Sequence, residues 1–215
     1  MLAKHYVAAL TIAVLVLSSS ALAQKADAAF VVGGSFVSNT SVNAVPICPG
    51  PVCPTFSTNV QSTHQVFLEG TLAARLLNAK VASLHLELPV AGIPSQKLTF
   101  TSAPTGLVGH LSSVFFTPAL RLKLLPGSPI APWVSVGGGL AHYSPDSGSS
   151  TSKGALEYGG GLDFKTGIPH LGLRAEVRDF VSGAPSLPVV NGFVVTTQGG
   201  SHHNVLAGGG IVLRF

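Results

Sequence analysis

The sequence predicts an all-β fold: an eight-stranded antiparallel up-and-down transmembrane β-barrel behind an N-terminal signal peptide. Three observations carry that prediction. First, the chain closes on an alternating run, 203–215. Val205, Ala207, Gly209, Ile211, Leu213 and Phe215 share one phase and Asn204, Gly208 and Arg214 the other, as in a strand with lipid on one side. Second, the chain opens on Lys4 and His5, an apolar run over 7–17, and the small-residue site Ala21-Leu22-Ala23 ahead of Gln24. That order reads as an export signal over residues 1–23, too short to cross a bilayer. Third, short and long connections alternate between the segments, the asymmetry of periplasmic turns against outer loops. The division is therefore 1–23, removed, and 24–215, one barrel domain in the bacterial outer membrane.

Period-two alternation between turn signals marks eight segments in order: 30–38, 64–75, 80–90, 113–124, 131–143, 154–165, 170–180 and 203–215. Each is long enough for the roughly nine to eleven residues that a tilted strand needs to span the membrane. The connections 76–79, 125–130 and 166–169 are short, whereas 39–63, 91–112, 144–153 and 181–202 are long. An even strand count keeps both ends periplasmic. The most apolar stretch is no helix, because Pro126, Pro129, Pro132 and Gly137 to Gly139 interrupt it.

Charge placement sharpens the assignment, since an unpaired Arg or Lys on the lipid face near the midplane costs about 2 to 4 kcal/mol. With Leu171, Leu173, Ala175 and Val177 toward lipid, Arg174, Glu176 and Arg178 point into the lumen. The same phase sends Glu69, Arg75, Glu87, Arg121, Lys123, Glu157, Asp163, Lys165 and Arg214 inward. Lys25 and Asp27 fall in the tail, Lys80 in a turn, Lys97, Asp146 and Lys153 in loops, and Asp179 at a strand's outer end. Eight strands enclose a bore that side chains fill. A lumen charge network of Glu69, Arg121, Glu157, Asp163, Arg174, Glu176, Arg178 and Arg214 is expected, centred on Arg174, Glu176 and Arg178. A water-soluble β-sandwich alternates equally well with its phases reversed. Export, paired loop lengths, strand length and terminal Phe215 favour the barrel.

Composition excludes several functions. The full chain carries 12 Lys and Arg, 8 Asp and Glu, and a net charge of +4 over 215 residues, with no basic cluster dense enough to follow a phosphate backbone, so nucleic acid is not a partner. Cys48 and Cys53 are the only cysteines. In an oxidising periplasm they read as a small loop-closing disulfide, and no further ligands accompany them for a metal site. The triple glycines 137–139, 159–161 and 208–210 lack the following helix that a phosphate-cradling loop needs. They read instead as curvature or as room for a bulky lumen neighbour. No cofactor is expected.

WVSVGGGLAHY, EYGGGLDF, LGLRAEVRDF and VLAGGGIVLRF together resemble the small OmpA/OmpX-like outer-membrane β-barrel family. The resemblance covers the last four strands by motif and the first four by pattern. It implies an eight-stranded barrel inserted by the outer-membrane barrel assembly machinery, with the segment ending at Phe215 as the assembly signal. Larger members add a peptidoglycan-binding domain; this sequence stops at Phe215, so that role is not implied. Phe30, Phe36, Phe116, Phe164 and Phe215 fall near strand ends in the lipid phase, although only three tyrosines contribute to an aromatic girdle.

The expected function is structural, adhesive or surface-interactive, with outer-membrane lipid and lipopolysaccharide as surroundings and an extracellular ligand at the external loops, above all the first loop. Two alternatives stand beside it. His110 and Ser112 have the His-x-Ser spacing of lipid A deacylases and share a face in an extended segment, as a base and nucleophile require. A narrow pore or carrier for small hydrophobic solutes is the other. His64, His142, His203 and Asp179 occupy the lipid phase at outer strand ends, where half-solvated polar residues need no special role. His85 and His170 are expected to point inward to lumen partners.

Overall fold

The computed structural model describes residues 26–37, 40–46, 56–62, 64–100, 108–147, 149–184, 193–197 and 201–215. The proposed signal segment, Cys48 and Cys53 lie outside them. Among the described residues every regular element is a strand: β1 (Ala26–Val37), β2 (Thr40–Pro46), β3 (Phe56–Ser62), β4 (Gln65–Asn78), β5 (Ala82–Phe100), β6 (Val108–Phe116), β7 (Ala119–Leu124), β8 (Ile130–Pro145), β9 (Thr151–Lys165), β10 (Leu171–Gly183), β11 (Phe193–Thr197) and β12 (Ser201–Arg214).

Antiparallel pairing closes the sheet. β1 pairs with both β4 and β12, the latter from Asp27 opposite Arg214 to Val37 opposite Asn204. The circuit runs β1, β4, β5, β6 with β7, β8, β9, β10, β12 and back to β1. β6 and β7 are one stave: both pair with β5 and with β8, and the register is continuous across Thr117 and Pro118. Proline lacks the N–H that a ladder rung needs, which explains the interruption. The barrel therefore has eight staves, as the alternation predicts.

Strand bounds differ from the sequence expectation at the ends, by a residue or two in places and by much more toward the long loops. β1 begins at Ala26, β5 continues to Phe100, and β6 begins at Val108. Much of the expected loop sequence is therefore ladder. The first long loop contributes β2 and β3, the last contributes β11, and these extend the sheet from the outer end of β5 in the order β3, β2, β11. The sequence offers no period-two signal that marks these segments as strands.

The short turns gather at one end with the first and last described residues: Phe215 N–H donates to the Ala26 carbonyl at 2.9 Å. Leu125 and His170 adopt positive φ of 48° and 65° in two of these turns, which is unusual for residues with a Cβ. His170 is exposed there, its ring Nδ1 2.8 Å from the Arg214 carbonyl. The expectation that it faces the lumen fails because the turn reverses the strand's phase. Lys165 is likewise exposed, and its ammonium donates to the Gly127 carbonyl rather than to a lumen acid.

The outer wall is apolar around the circumference, with Phe30, Leu68, Leu86, Leu120, Val134, Leu156, Leu173 and Ile211 all at least 40% exposed. Side chains of the opposite phase fill the bore. Glycines make room where large ones lie: a Cβ on Gly33 or Gly208 would come within 2.7 and 2.9 Å of the buried Phe67 ring at the β1–β12 seam. A Cβ on Gly161 would meet Trp133 at 2.7 Å and the Ala175 carbonyl. Overpacking of this kind is not relieved by rotamer change when backbone is one of the neighbours. Gly161→Val is accordingly expected to eliminate the fast-migrating folded band on unheated gels; a folded band of wild-type intensity would show that the wall yields there.

Candidate functional site: the filled lumen and the outer rim

The lumen has two layers. Toward the short-turn end, alternation on six staves aims acids and bases at the axis, and ten charged side chains form one connected set. Arg178 reaches four carboxylates: Glu69 at 3.1 Å, Glu87 at 2.7 Å, Glu157 at 3.0 Å and Glu176 at 3.4 Å. Arg174 grips Asp163 at 2.8 Å and approaches Glu87 and Glu176 at 3.5 and 3.8 Å. Arg121 joins Asp27 and Glu87 at 3.2 and 3.5 Å. Lys123 holds Asp163 at 2.6 Å.

Glu87, wholly buried, touches three guanidinium groups and ties β5 to β7 and β10. Glu176 makes only the two longer contacts. The set thus centres on Glu87 and Arg178, not on the Arg174-Glu176-Arg178 run. Asp27, expected in the tail, also belongs to it: β1 starts early enough to place it 6% exposed beside Arg121. Extending the alternation of Val31 and Gly33 back past Phe30 would have found it. Arg214 makes no ion pair among the described residues. It lines, with Arg75, Asp27, His85, Lys123 and Asp163, a cavity of about 50 Å³ at the short-turn end.

Trp133 is the other unforeseen member. It is 2% exposed, and the guanidinium carbons of Arg174 and Arg178 each lie 4.9 Å from its ring centre, that of Arg121 at 5.7 Å. A buried indole face gives three cations a favourable surface without consuming a carboxylate. Its inward phase between Ala131 and Ser135 was legible, but its partners come from other strands.

Toward the long-loop end the bore turns apolar. Val31, Phe67, Ile93, Leu111, Phe115 and Phe180 are buried together. The rings of Phe115 and Phe180 are 4.8 Å apart, and the Tyr143 and Ser182 hydroxyls share a 2.6 Å hydrogen bond. Side chains therefore occupy both halves of the bore.

On the outer rim, His110 and Ser112 share a face of β6 as their spacing predicts, yet they do not bond to each other. His110 Nδ1 lies 3.3 Å from Ser95 Oγ, and Ser112 donates to the Ser144 carbonyl at 3.0 Å. His85 faces the lumen and is 2.9 Å from Ser83 Oγ. His64 packs on the Phe36 ring, and His142 Nδ1 is 2.9 Å from Ser152 Oγ. His203 Nδ1 is 2.7 Å from Asp179. Among the described residues no group of three His, Cys, Asp or Glu side chains is disposed to hold a metal.

No protein-family model matches the chain, and no curated protein sequence does. Solved structures do. The outer membrane protein OprG from Pseudomonas aeruginosa is 13% identical with a TM-score of 0.58, over 90% of this chain and 96% of that one. Neisserial surface protein A is 16% identical with a TM-score of 0.42, over 86% and 97%. Ail of Yersinia pestis is 11% identical with a TM-score of 0.41, over 88% and 99%. The likeness to OprG is one of fold, and it agrees with the apolar wall and charged bore described above: the fold is that of a small outer-membrane β-barrel.

Proposed function

We propose that this chain, an outer-membrane β-barrel of eight staves, is a sealed wall element serving envelope integrity, adhesion or surface interaction. The observation that carries the proposal is the filled bore: among the described residues an ionic layer and an apolar one both aim buried side chains at the axis. The pore reading draws no support from it. Outer-membrane lipid and lipopolysaccharide surround the belt, and Phe215 is the signal offered to the barrel assembly machinery.

The contact surface proposed for an extracellular ligand is the outer sheet of β11, β2 and β3. In sequence, residues 47–55, with Cys48 and Cys53 proposed as a disulfide clip, connect β2 to β3. A rigid barrel carrying a hydrogen-bonded extension presents a loop at little entropic cost.

Liposome swelling tests the sealed wall. Proteoliposomes are expected to swell in small sugars and amino acids no faster than protein-free vesicles, and rapid swelling would overturn the proposal. Replacing residues 47–55 by a short glycine–serine linker is expected to leave heat-modifiable gel mobility intact while abolishing attachment of intact cells to host-cell or matrix surfaces. Unaltered attachment would remove the first loop from the contact.

A further inference from the structure

Three histidines on the outer rim lie within reach of a serine hydroxyl, but only one of them, among the described residues, also has a carboxylate on its other ring nitrogen. Ser201 and His203 stand two residues apart on β12, so their side chains leave the same face. Ser201 Oγ is 3.4 Å from His203 Nε2, and His203 Nδ1 is 2.7 Å from Asp179 Oδ2 on the neighbouring strand β10. Tyr158, from β9, donates its hydroxyl to the same carboxylate oxygen at 2.6 Å.

The chemistry of the contacts fixes the proton. A carboxylate only accepts, so the Asp179 bond requires hydrogen on Nδ1, and in the neutral imidazole Nε2 then offers its lone pair to the Ser201 hydroxyl. That is the order of nucleophile, base and orienting acid that acyl transfer uses.

The position matters as much. Val181 is opposite His203 in the ladder and Leu156 is opposite Val181. Leu156 is 64% exposed on the lipid face, and Val177, one step below Asp179, is 52% exposed. Ser201 itself is exposed at the end of β12. The hydroxyl thus stands at the upper margin of the apolar belt, where hydrocarbon gives way to headgroups and where lipid ester carbonyls lie.

We propose that Ser201, His203 and Asp179 form a hydrolytic site for acyl esters of outer-leaflet lipids. Ser201 Oγ bonds to the ester carbonyl carbon while its proton passes to His203 Nε2. The carbon–oxygen bond to the lipid alcohol breaks as Nε2 returns that proton to the leaving oxygen. Water then attacks the acyl-serine, gives one proton to Nε2, and releases the fatty acid as Ser201 recovers its hydrogen. The balance is ester plus water to acid plus alcohol, with no further reactant. Ser201 and His203 are the catalytic residues; Asp179 and Tyr158 position the imidazole.

The sealed-wall proposal does not require this site, and the test is separate from swelling. The purified full-length barrel is reconstituted into two kinds of vesicle, one of phosphatidylethanolamine and phosphatidylglycerol, the other with added lipid A, and released fatty acid is followed by mass spectrometry. Release above protein-free vesicles is expected in at least one arm, and the arm that reacts names the source. Ser201→Ala and His203→Gln are expected to lower release by about 10³-fold or more, while both variants keep the unheated gel mobility of a folded barrel. Asp179→Asn should lower kcat with KM unchanged, because it acts through the imidazole. Release no faster than from protein-free vesicles in both arms, or release that Ser201→Ala leaves unaltered, overturns the proposal.

Discussion

Arg178→Ala is expected to lower the free energy of unfolding by about 3 to 5 kcal/mol, the loss that follows when one partner is deleted from a buried ionic set. Arg178 is 1% exposed and alone contacts Glu69, Glu87, Glu157 and Glu176. Alanine would leave Glu69 and Glu157 without a cationic partner among the described residues and strip Glu87 of its shortest one. Those carboxylates are buried, so the variant leaves them charged without that cation at a cost in stability. Urea unfolding of the barrel in lipid vesicles, read by gel mobility, gives the comparison. The same measurement ranks the acids: Glu87→Gln should shift the midpoint more than Glu176→Gln, since Glu87 meets three guanidinium groups and Glu176 meets two at 3.4 Å or beyond. An Arg178→Ala midpoint equal to wild type would mean the lumen charges are solvated independently, and the description of a connected set would fail.

Trp133→Ala should be comparably severe, about 3 to 5 kcal/mol for a fully buried large aromatic. The indole fills the space above Gly161 and lies under three guanidinium groups. Alanine opens a cavity and removes the ring face at once, so Trp133→Phe, which keeps a smaller face, should recover part of the loss. Trp133 being the only tryptophan, the transition is read by band shift rather than by indole fluorescence. If Trp133→Ala and Trp133→Phe unfold at the wild-type midpoint, the ring is a spectator in the bore.

How far the site was legible follows from the range of each interaction. The inward phase of Glu69, Glu87, Arg121, Glu157, Asp163, Arg174, Glu176 and Arg178 is a strictly local property: in a strand, neighbours two apart share a face. Which of them touch is not local. Arg178 and Glu87 are 91 positions apart and meet across the bore; no spacing rule pairs them. Arg214 has the right phase and no ion pair among the described residues: Asp27 and Asp163, which line the same cavity, are held by Arg121, Lys123 and Arg174 instead. Asp27 reads as tail from the sequence because alternation fades at strand ends. The His110 and Ser112 spacing did predict a common face, but orientation of the ring toward Ser95 was set by β5, a neighbour that the sequence does not name.

By itself the sequence determined the number of staves, their inside and outside faces, and the end at which short turns gather, since each depends on a two-residue period and on turn chemistry that neighbouring residues carry. Tertiary structure alone decided the rest. It placed Glu87 and Arg178 at the centre, slid Trp133 beneath three arginines, divided the bore into ionic and apolar layers, and set Asp179 against His203. These are contacts between strands, and their geometry depends on the stagger with which the sheet closes on itself, a quantity that emerges only when the first and last strands meet.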